Sequence, residues 1–220
     1  MGGRFALNER LFALWYPVVA DVAERAGQRE TRRELAAQAS GRTLEIGAGS
    51  GLNLPHYTAA VTELVVSEPS PHMLRQLRTS LSEAPPPVGS WKLVQAGGEE
   101  LPFEDGSFDT VLATFVMCTI PDPARAFAEI ARVLKPGGQY LFLEHVHAGE
   151  GTVLGRFQDI VEVPHRYIAA GCYPNRRTEE LIAQSPLQVR RLEHGRQPRA
   201  IATVRPTILG SAVAGERDDS

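Results

Sequence analysis

Thr43-Leu44-Glu45-Ile46-Gly47-Ala48-Gly49-Ser50-Gly51-Leu52-Asn53 is the stretch on which the fold turns. Its first four residues read as the end of a short buried strand, and the glycines stop that strand at once. Gly47, Gly49 and Gly51 lack a Cβ, so the backbone there can take positive φ and lie close to a bound molecule. A strand running into such a loop is where open α/β sheets hold a nucleotide-like ligand. The spacing is G-x-G-x-G, with Glu45 two residues ahead of the first glycine. The dinucleotide fingerprint needs its last glycine where this chain has Leu52, which argues against a nicotinamide cofactor. A nucleoside ligand without a pyrophosphate has less need of a helix N-terminus as an anion cradle.

Beyond the loop, Pro55 makes the first crossover helix late or short. Thr62 to Ser67 is β-branched and apolar, a second strand ending at Glu68-Pro69. Glu68 lies 17 residues past Gly51 (68 − 51), near the ~20-residue offset at which an acid meets a ribose diol in this architecture. A carboxylate there can accept from both ribose hydroxyls. Ser70 caps a helix over Pro71 to Glu83, with proline at its first position and Met73 in its first turn. Trp91 to Gln95, Phe108 to Ala113 and Tyr140 to Val146 read as strands three to five. The amphipathic helix from Pro123 to Leu134 is stopped by Lys135-Pro136-Gly137-Gly138. This alternation implies a parallel sheet with right-handed crossovers.

After residue 149 the pattern changes. Phe157 to Tyr167 is helical with a break at Pro164, Gly171 to Asn175 is a loop, and Thr178 caps a short helix to Gln184. Leu187 to Glu193 and Pro206 to Ala214 are strands forming an antiparallel edge. On the other side of the loop, residues 5–39 read as two helical pieces divided near Pro17. Leu7, Leu11, Leu14, Trp15 and Val18 share one face of the first. The chain thus divides into a helical lid segment (1–40), an α/β domain (41–214) and a charged, disordered tail (215–220).

Composition sets outer limits. The 220 residues suit a single core, and 43% hydrophobic and 22% charged residues are ordinary for a globular chain. A net charge of −3 gives no reason to expect nucleic acid, and Arg190-Arg191 reads as a solvated strand face. Leu11 to Ala20 is far shorter than the ~18–20 apolar residues of a membrane span and reads as a helix packed on the domain. No integral membrane association is expected, and the assembly is a monomer or homodimer. The 2 cysteines, Cys118 and Cys172, offer neither a disulfide framework nor zinc spacing, so the reading is a cytoplasmic, reducing setting with no metal site.

Four ordered motifs together carry a resemblance: L-E-I-G-A-G-S-G at 44–51, the acid-ended strand at 67–68, G-E-E-L-P-F-E-D-G-S-F-D at 98–109 and R-V-L-K-P-G-G at 132–138. They resemble class I, S-adenosylmethionine-dependent methyltransferases of the type 11 kind. The resemblance implies a Rossmann-like, seven-stranded and mostly parallel sheet with an antiparallel edge strand and helices on both faces. S-Adenosyl-L-methionine is the cofactor it implies. F-L-E-H-V at 142–146, G-C-Y-P-N-R at 171–176 and V-R-P-T-I-L-G-S-A-V at 204–213 are similar to the methyltransferase-like enzymes that methylate alkyl thiols.

Carried over by motif position, Gly47, Gly49 and Gly51 approach the methionyl part of the cofactor, with Asn53 beside them. Glu45 orients its ammonium group, and Glu68 holds the ribose. Pro69 or Met73 flanks adenine, Gly98 and Glu99 meet its edge, and Thr114 and Phe115 lie near the sulfonium.

Methyl transfer from a sulfonium is an in-line displacement, so the protein must align a nucleophile and exclude water. A thiol with a reference pKa of ~8.5 needs only modest help to ionise. His145, at the end of strand five, is the candidate general base or positive neighbour, with Arg176 second; the alternative for His145 is a strand-end histidine bonded to backbone. Cys118 and Cys172 read as small buried residues lining the acceptor pocket, since displacement on a sulfonium needs no enzyme-bound intermediate. Tyr16 is either a core aromatic or a cleft-facing member of that pocket. The activity expected is therefore methyl transfer to a small-molecule thiol. The competing readings are an N- or O-methyltransferase on a small molecule or lipid head group, a non-catalytic cofactor-binding subunit, and a nicotinamide-dependent reductase.

Overall fold

The description rests on a computed structural model, which describes residues 20–197 and 199–215. The expectations for Leu7 to Val18, among them Trp15 and Tyr16, and for residues 216–220 of the tail lie outside the described residues.

Strand β1 (Gly41–Ile46) is an interior strand of the sheet, its last four residues buried. It pairs in parallel with β2 (Val61–Ser67) on one side and β4 (Phe108–Thr114) on the other. Beyond these lie β3 (Trp91–Val94) and β5 (Leu134–His145), also parallel. β7 (Pro206–Ala214) runs antiparallel to β5, and β6 (Leu187–Arg196) pairs with β7 to form the edge. The described residues thus build a seven-stranded sheet in the order β3-β2-β1-β4-β5-β7-β6. The antiparallel strand lies one place in from the edge, as half of an antiparallel edge pair.

Alternation along each strand feeds two cores. Val111 and Ala113 of β4 point into one, with Ile46 and Tyr140, while Leu112 points into the other with Leu64 and Leu141. Helix α3 (Pro123–Val133) covers the first through Phe127 and Ile130. The second is covered by Leu35 of α1 (Arg29–Ala36) and Leu77 of α2 (Pro71–Glu83). Apolar burial on both faces is what a parallel sheet requires.

Ser70 caps α2, its hydroxyl accepting from the Met73 N–H, and proline occupies the first helical position. The β1–β2 crossover holds only a 3₁₀ turn at Leu54–His56, with Pro55 inside it. Three expectations need correction. α4 (Val153–Ile168) continues through Pro164: the proline's missing N–H and its ring disturb one turn locally, and the helix carries on past it. Thr178 is the first residue of α5 (Thr178–Ala183), not its cap; Arg177 holds that place without a side-chain bond. β5 begins at Leu134, with a register irregularity opposite Phe108 and Thr110 absorbing Lys135-Pro136-Gly137-Gly138. No helix among the described residues is long and apolar enough to cross a membrane.

Candidate active site

The parallel strands β1, β2 and β4 end on the same side, so the loops after them share one rim. There they border a cleft of about 530 Å³, within the ~300–1,000 Å³ usual for small-molecule sites. Its floor is the glycine loop. Gly49 adopts φ +59°, and its N–H donates to Glu68 Oε2 at 3.0 Å; Glu68 Oε1 accepts from the Ser70 N–H at 2.9 Å. A single carboxylate at the end of β2 therefore ties down both the loop and the entry to α2. Glu68, Pro69, Met73, Gly98 and Glu99 all line the cleft, with Gly47 and Gly49. Glu99 also anchors α3, accepting from the Asp122 N–H at 2.9 Å.

The far wall comes from β4. Thr114 and Phe115 line it, and Phe115 sits at φ +59°, a left-handed conformation uncommon for an aromatic residue. Its N–H bonds to Leu143 O at 2.8 Å, which holds the strained backbone in place. Such strain concentrates where a fold positions groups for function.

Glu45, Gly51 and Asn53 do not reach the cleft surface. Glu45 is buried one layer below, accepting from Asn53 Nδ2 at 2.9 Å and from the Tyr57 hydroxyl at 2.7 Å. Burial raises its pKa, against the lowering effect of those two donors. Above it stands a residue the sequence did not mark, Arg32. Its guanidinium is 3% exposed, pairs with buried Glu24 at 2.8 Å and donates to Asn53 Oδ1 at 3.0 Å and to Thr114 Oγ1. It also lies over the Phe115 ring, 5.3 Å from the centroid, and lines the cleft. Nothing in the arginine- and glutamate-rich run 29–36 distinguishes this arginine from its solvated neighbours; only the fold does.

Behind Phe115 lies a second layer. His145 stacks on it, with ring centroids 6.4 Å apart, and its Nε2 is 3.1 Å from Cys172 Sγ. Cys118 joins them: the side-chain donor atoms of Cys118, His145 and Cys172 all lie within 4.8 Å of one another, and all three residues are buried. These residues are separated by chain spacings that carry no metal signature; folding brings them together. Their immediate neighbours Phe115, Thr119, Gly171 and Tyr173 line the cleft. Hydrogen bonding to Cys172 and burial push the Cys118 thiol well above its ordinary pKa. Burial disfavours the His145 imidazolium, but Cys118 and Glu144 beside it outweigh that and leave its pKa raised. Burial pushes Glu144 up to about 7, although the Val116 and Met117 N–H groups donate to its Oε1. Arg176 stacks on Tyr173, donates to Ile120 O at 2.7 Å, and has its pKa lowered by burial. It faces a small side hollow with Asn175 rather than the main cleft.

A glycine loop opposite an acid-ended second strand, in a sheet of this order, defines an α/β domain built to hold a nucleoside cofactor, of the class I methyltransferase architecture. The comparisons agree. Residues 44–142 match the family described as "Methyltransferase domain". The human thiol S-methyltransferase TMT1B is 31% identical over 191 residues, 83% of this chain and 78% of that one. A phosphatidylethanolamine N-methyltransferase of Cereibacter sphaeroides is 36% identical over 140 residues, covering 58% and 66% respectively. The crystal structure of the YcgJ protein of a Bacillus superposes with a TM-score of 0.65 at 18% identity, over 86% of this chain and 98% of that one. The chain belongs to the S-adenosylmethionine-dependent methyltransferase family, and it is an enzyme of that class with S-adenosyl-L-methionine as its cofactor. The cleft fits that group: it is apolar along Pro69 and Met73, presents the Glu68 carboxylate, an acceptor of the kind a ribose diol needs, and leaves open space beside Gly97, where an added Cβ would meet nothing nearer than 3.9 Å.

Proposed function

We propose that this methyltransferase transfers its methyl group to the sulfur of a small, apolar thiol. The observation that carries the reading is the pairing of an aromatic, strained wall at Phe115 with the Cys118–His145–Cys172 cluster behind it. The likeness to the human thiol S-methyltransferase, which spans that region, supports it. On the cofactor side, Gly47 and Gly49 offer backbone to the methionyl part, and Glu68 accepts from the ribose hydroxyls. Pro69 and Met73 enclose adenine, Gly98 and Glu99 meet its edge, and Thr114 and Phe115 border the sulfonium. Glu45, Gly51 and Asn53 act from one layer below, by holding the loop. When bound, S-adenosylmethionine supplies an electrophilic methyl carbon. The acceptor sulfur's lone pair forms the new S–C bond as the sulfonium C–S bond breaks, and the breaking bond's electrons stay on the departing thioether sulfur. The chain's task is to align the acceptor behind that carbon, exclude water, and make the acceptor's proton leave. His145 is the residue on which that last step turns. Both cysteines of the described region are free thiols, in keeping with a reducing, cytoplasmic setting.

Initial rates on a panel of alkyl thiols, amines and phenols test this. Turnover of thiols, lowered in His145→Ala with S-adenosylhomocysteine affinity unchanged, is the expected result. Turnover of amines alone would overturn it.

One observation favours a second reading, N-methylation of a lipid head group. α4, whose last turn borders the cleft through Arg166, with Ala170 just past its end, exposes Ile160 (77%), Val163 (73%) and Ile168 (65%). An apolar face of that kind suits an acceptor presented at a lipid surface, and the phosphatidylethanolamine N-methyltransferase is among the relatives. Vesicles containing phosphatidylethanolamine in the same panel decide between the two.

A further inference from the structure

Cys118, His145 and Cys172 come from three separate segments: the turn after β4, the last residue of β5, and the loop between α4 and α5. Main-chain bonds hold these segments together independently of the side chains. The Tyr173 N–H donates to Cys118 O at 2.8 Å, the Cys172 N–H to Ala169 O at 3.0 Å, and His145 is fixed opposite Thr207 in the β5–β7 ladder. The donor atoms are thus delivered to one point by a scaffold already formed.

His145 turns Nε2 to the Cys172 thiol at 3.1 Å, and the Cys118 sulfur belongs to the same buried group, whose donor atoms all lie within 4.8 Å of one another. Two sulfurs and one imidazole nitrogen are a borderline-soft donor set suited to zinc. Tetrahedral coordination at Zn–S ~2.3 Å and Zn–N ~2.0–2.1 Å puts ligand atoms about 3.5–3.8 Å apart. The observed limit of 4.8 Å is within reach of that by small side-chain rotations.

We propose that Cys118, His145 and Cys172 form a three-ligand zinc site whose fourth position takes the acceptor's sulfur. The catalytic part rests on the thiol reading above; the metal site does not. Three protein ligands with one position open is the arrangement of catalytic rather than structural zinc. Charge balance agrees. Two cysteine thiolates neutralise the divalent ion. On coordination the acceptor's S–H bond breaks, its proton passes to solvent water, and its electron pair remains on sulfur as the Zn–S ligand pair. The S–C bond then forms from that sulfur as described. His145 activates the acceptor in this scheme by holding the metal.

The test uses the full chain, purified under a reductant, stripped with a chelator and titrated with Zn²⁺ against a chromophoric competitor. One equivalent bound with submicromolar affinity is expected, weakened at least a hundredfold in Cys118→Ser and in Cys172→Ser. Retained S-adenosylhomocysteine binding shows that the variants fold. Co²⁺ in the wild-type protein needs no variant: it should give thiolate charge-transfer absorption and intense tetrahedral ligand-field bands, which shift when an alkyl thiol is added. Binding that both serine variants leave unchanged, an octahedral Co²⁺ spectrum, or a Cys118–Cys172 disulfide in place of metal uptake would overturn the site. Zinc binding with turnover of amines alone would sink the thiol reading and leave the metal standing. Full thiol turnover by the stripped protein would do the reverse to the catalytic part.

Discussion

Glu68 Oε2 accepts the Gly49 N–H at 3.0 Å, binding the end of β2 to the loop that follows β1. Its other oxygen takes the Ser70 N–H, so the carboxylate that faces the cleft is also the clamp that shapes it. Charge-assisted bonds to backbone N–H groups are among the stronger ones a side chain makes. Glu68→Ala should lower S-adenosylhomocysteine affinity at least tenfold in calorimetric titration. Glu68→Gln keeps one acceptor of the pair and should fall between. Equal affinity in all three proteins would separate Glu68 from the ribose.

Gly49→Val tests the loop itself. The native φ of +59° is strained for any L-residue, by ~1–2 kcal/mol, and a new Cβ would stand 3.4 Å from Met73 Cε, on the cleft wall. Binding of S-adenosylhomocysteine should be lost while the protein stays folded by circular dichroism. Gly49→Ala, with the same backbone strain and less bulk, should retain weak binding.

The alternation of strands and helices and part of the cleft's lining were legible because each rests on local chemistry: glycines, an acid at a strand end, a Ser-Pro helix start. Glu68, Met73, Gly98 and Phe115 all line the cleft as their motifs imply. What could not be read is made by residues far apart in the chain. Arg32 reaches Thr114 across 82 positions, and no pattern around it announces that, unlike Arg29 and Arg33 beside it, it turns inward. The Cys118–His145–Cys172 cluster lacks any chain spacing that signals ligation, so the expectation of no metal site followed from spacing while the fold set the three groups side by side. Pro164 misled because a helix tolerates one missing N–H when the turns around it stay bonded.

Acid should weaken the fold partly through Glu129. Its pKa lies below the ordinary 4.5, chiefly because the Arg132 guanidinium bonds to it, and its Oε2 also accepts from the Leu101 N–H at 2.8 Å. A carboxylate depressed on folding contributes stability above its unfolded value, and that contribution is lost as pH falls from 4.5 through the folded value. Glu129→Gln should therefore be less stable than wild type at pH 7 and show a shallower loss below pH 4.5 in urea unfolding. Parallel curves would remove Glu129 from the acid transition.

Phe115 offers a test of strain. At φ +59° an alanine keeps the backbone penalty and a glycine does not. Phe115→Gly should be more stable than Phe115→Ala by ~1 kcal/mol, though both lose the ring that stacks on His145. Acceptor KM should rise in both by more than S-adenosylhomocysteine affinity falls. A reversed order of stability would mean that the ring, and not the main-chain bond to Leu143, fixes this conformation.

Arg32 joins stability to function most directly. With Arg32 3% and Glu24 5% exposed, removing one partner strands the other's charge in the core, which costs ~3–5 kcal/mol for a buried pair. Arg32→Met should lose about that much in urea unfolding. Glu24→Gln/Arg32→Met should recover part of it, because no lone charge is left buried, and the difference from additivity measures the coupling. The two proteins separate stability from binding. Arg32 also holds Asn53, which holds Glu45 beneath the glycine loop, so the double variant should still bind S-adenosylhomocysteine less tightly than wild type after its stability has been partly restored. Full recovery of affinity with stability would make Arg32 a support of the core and no part of the cleft.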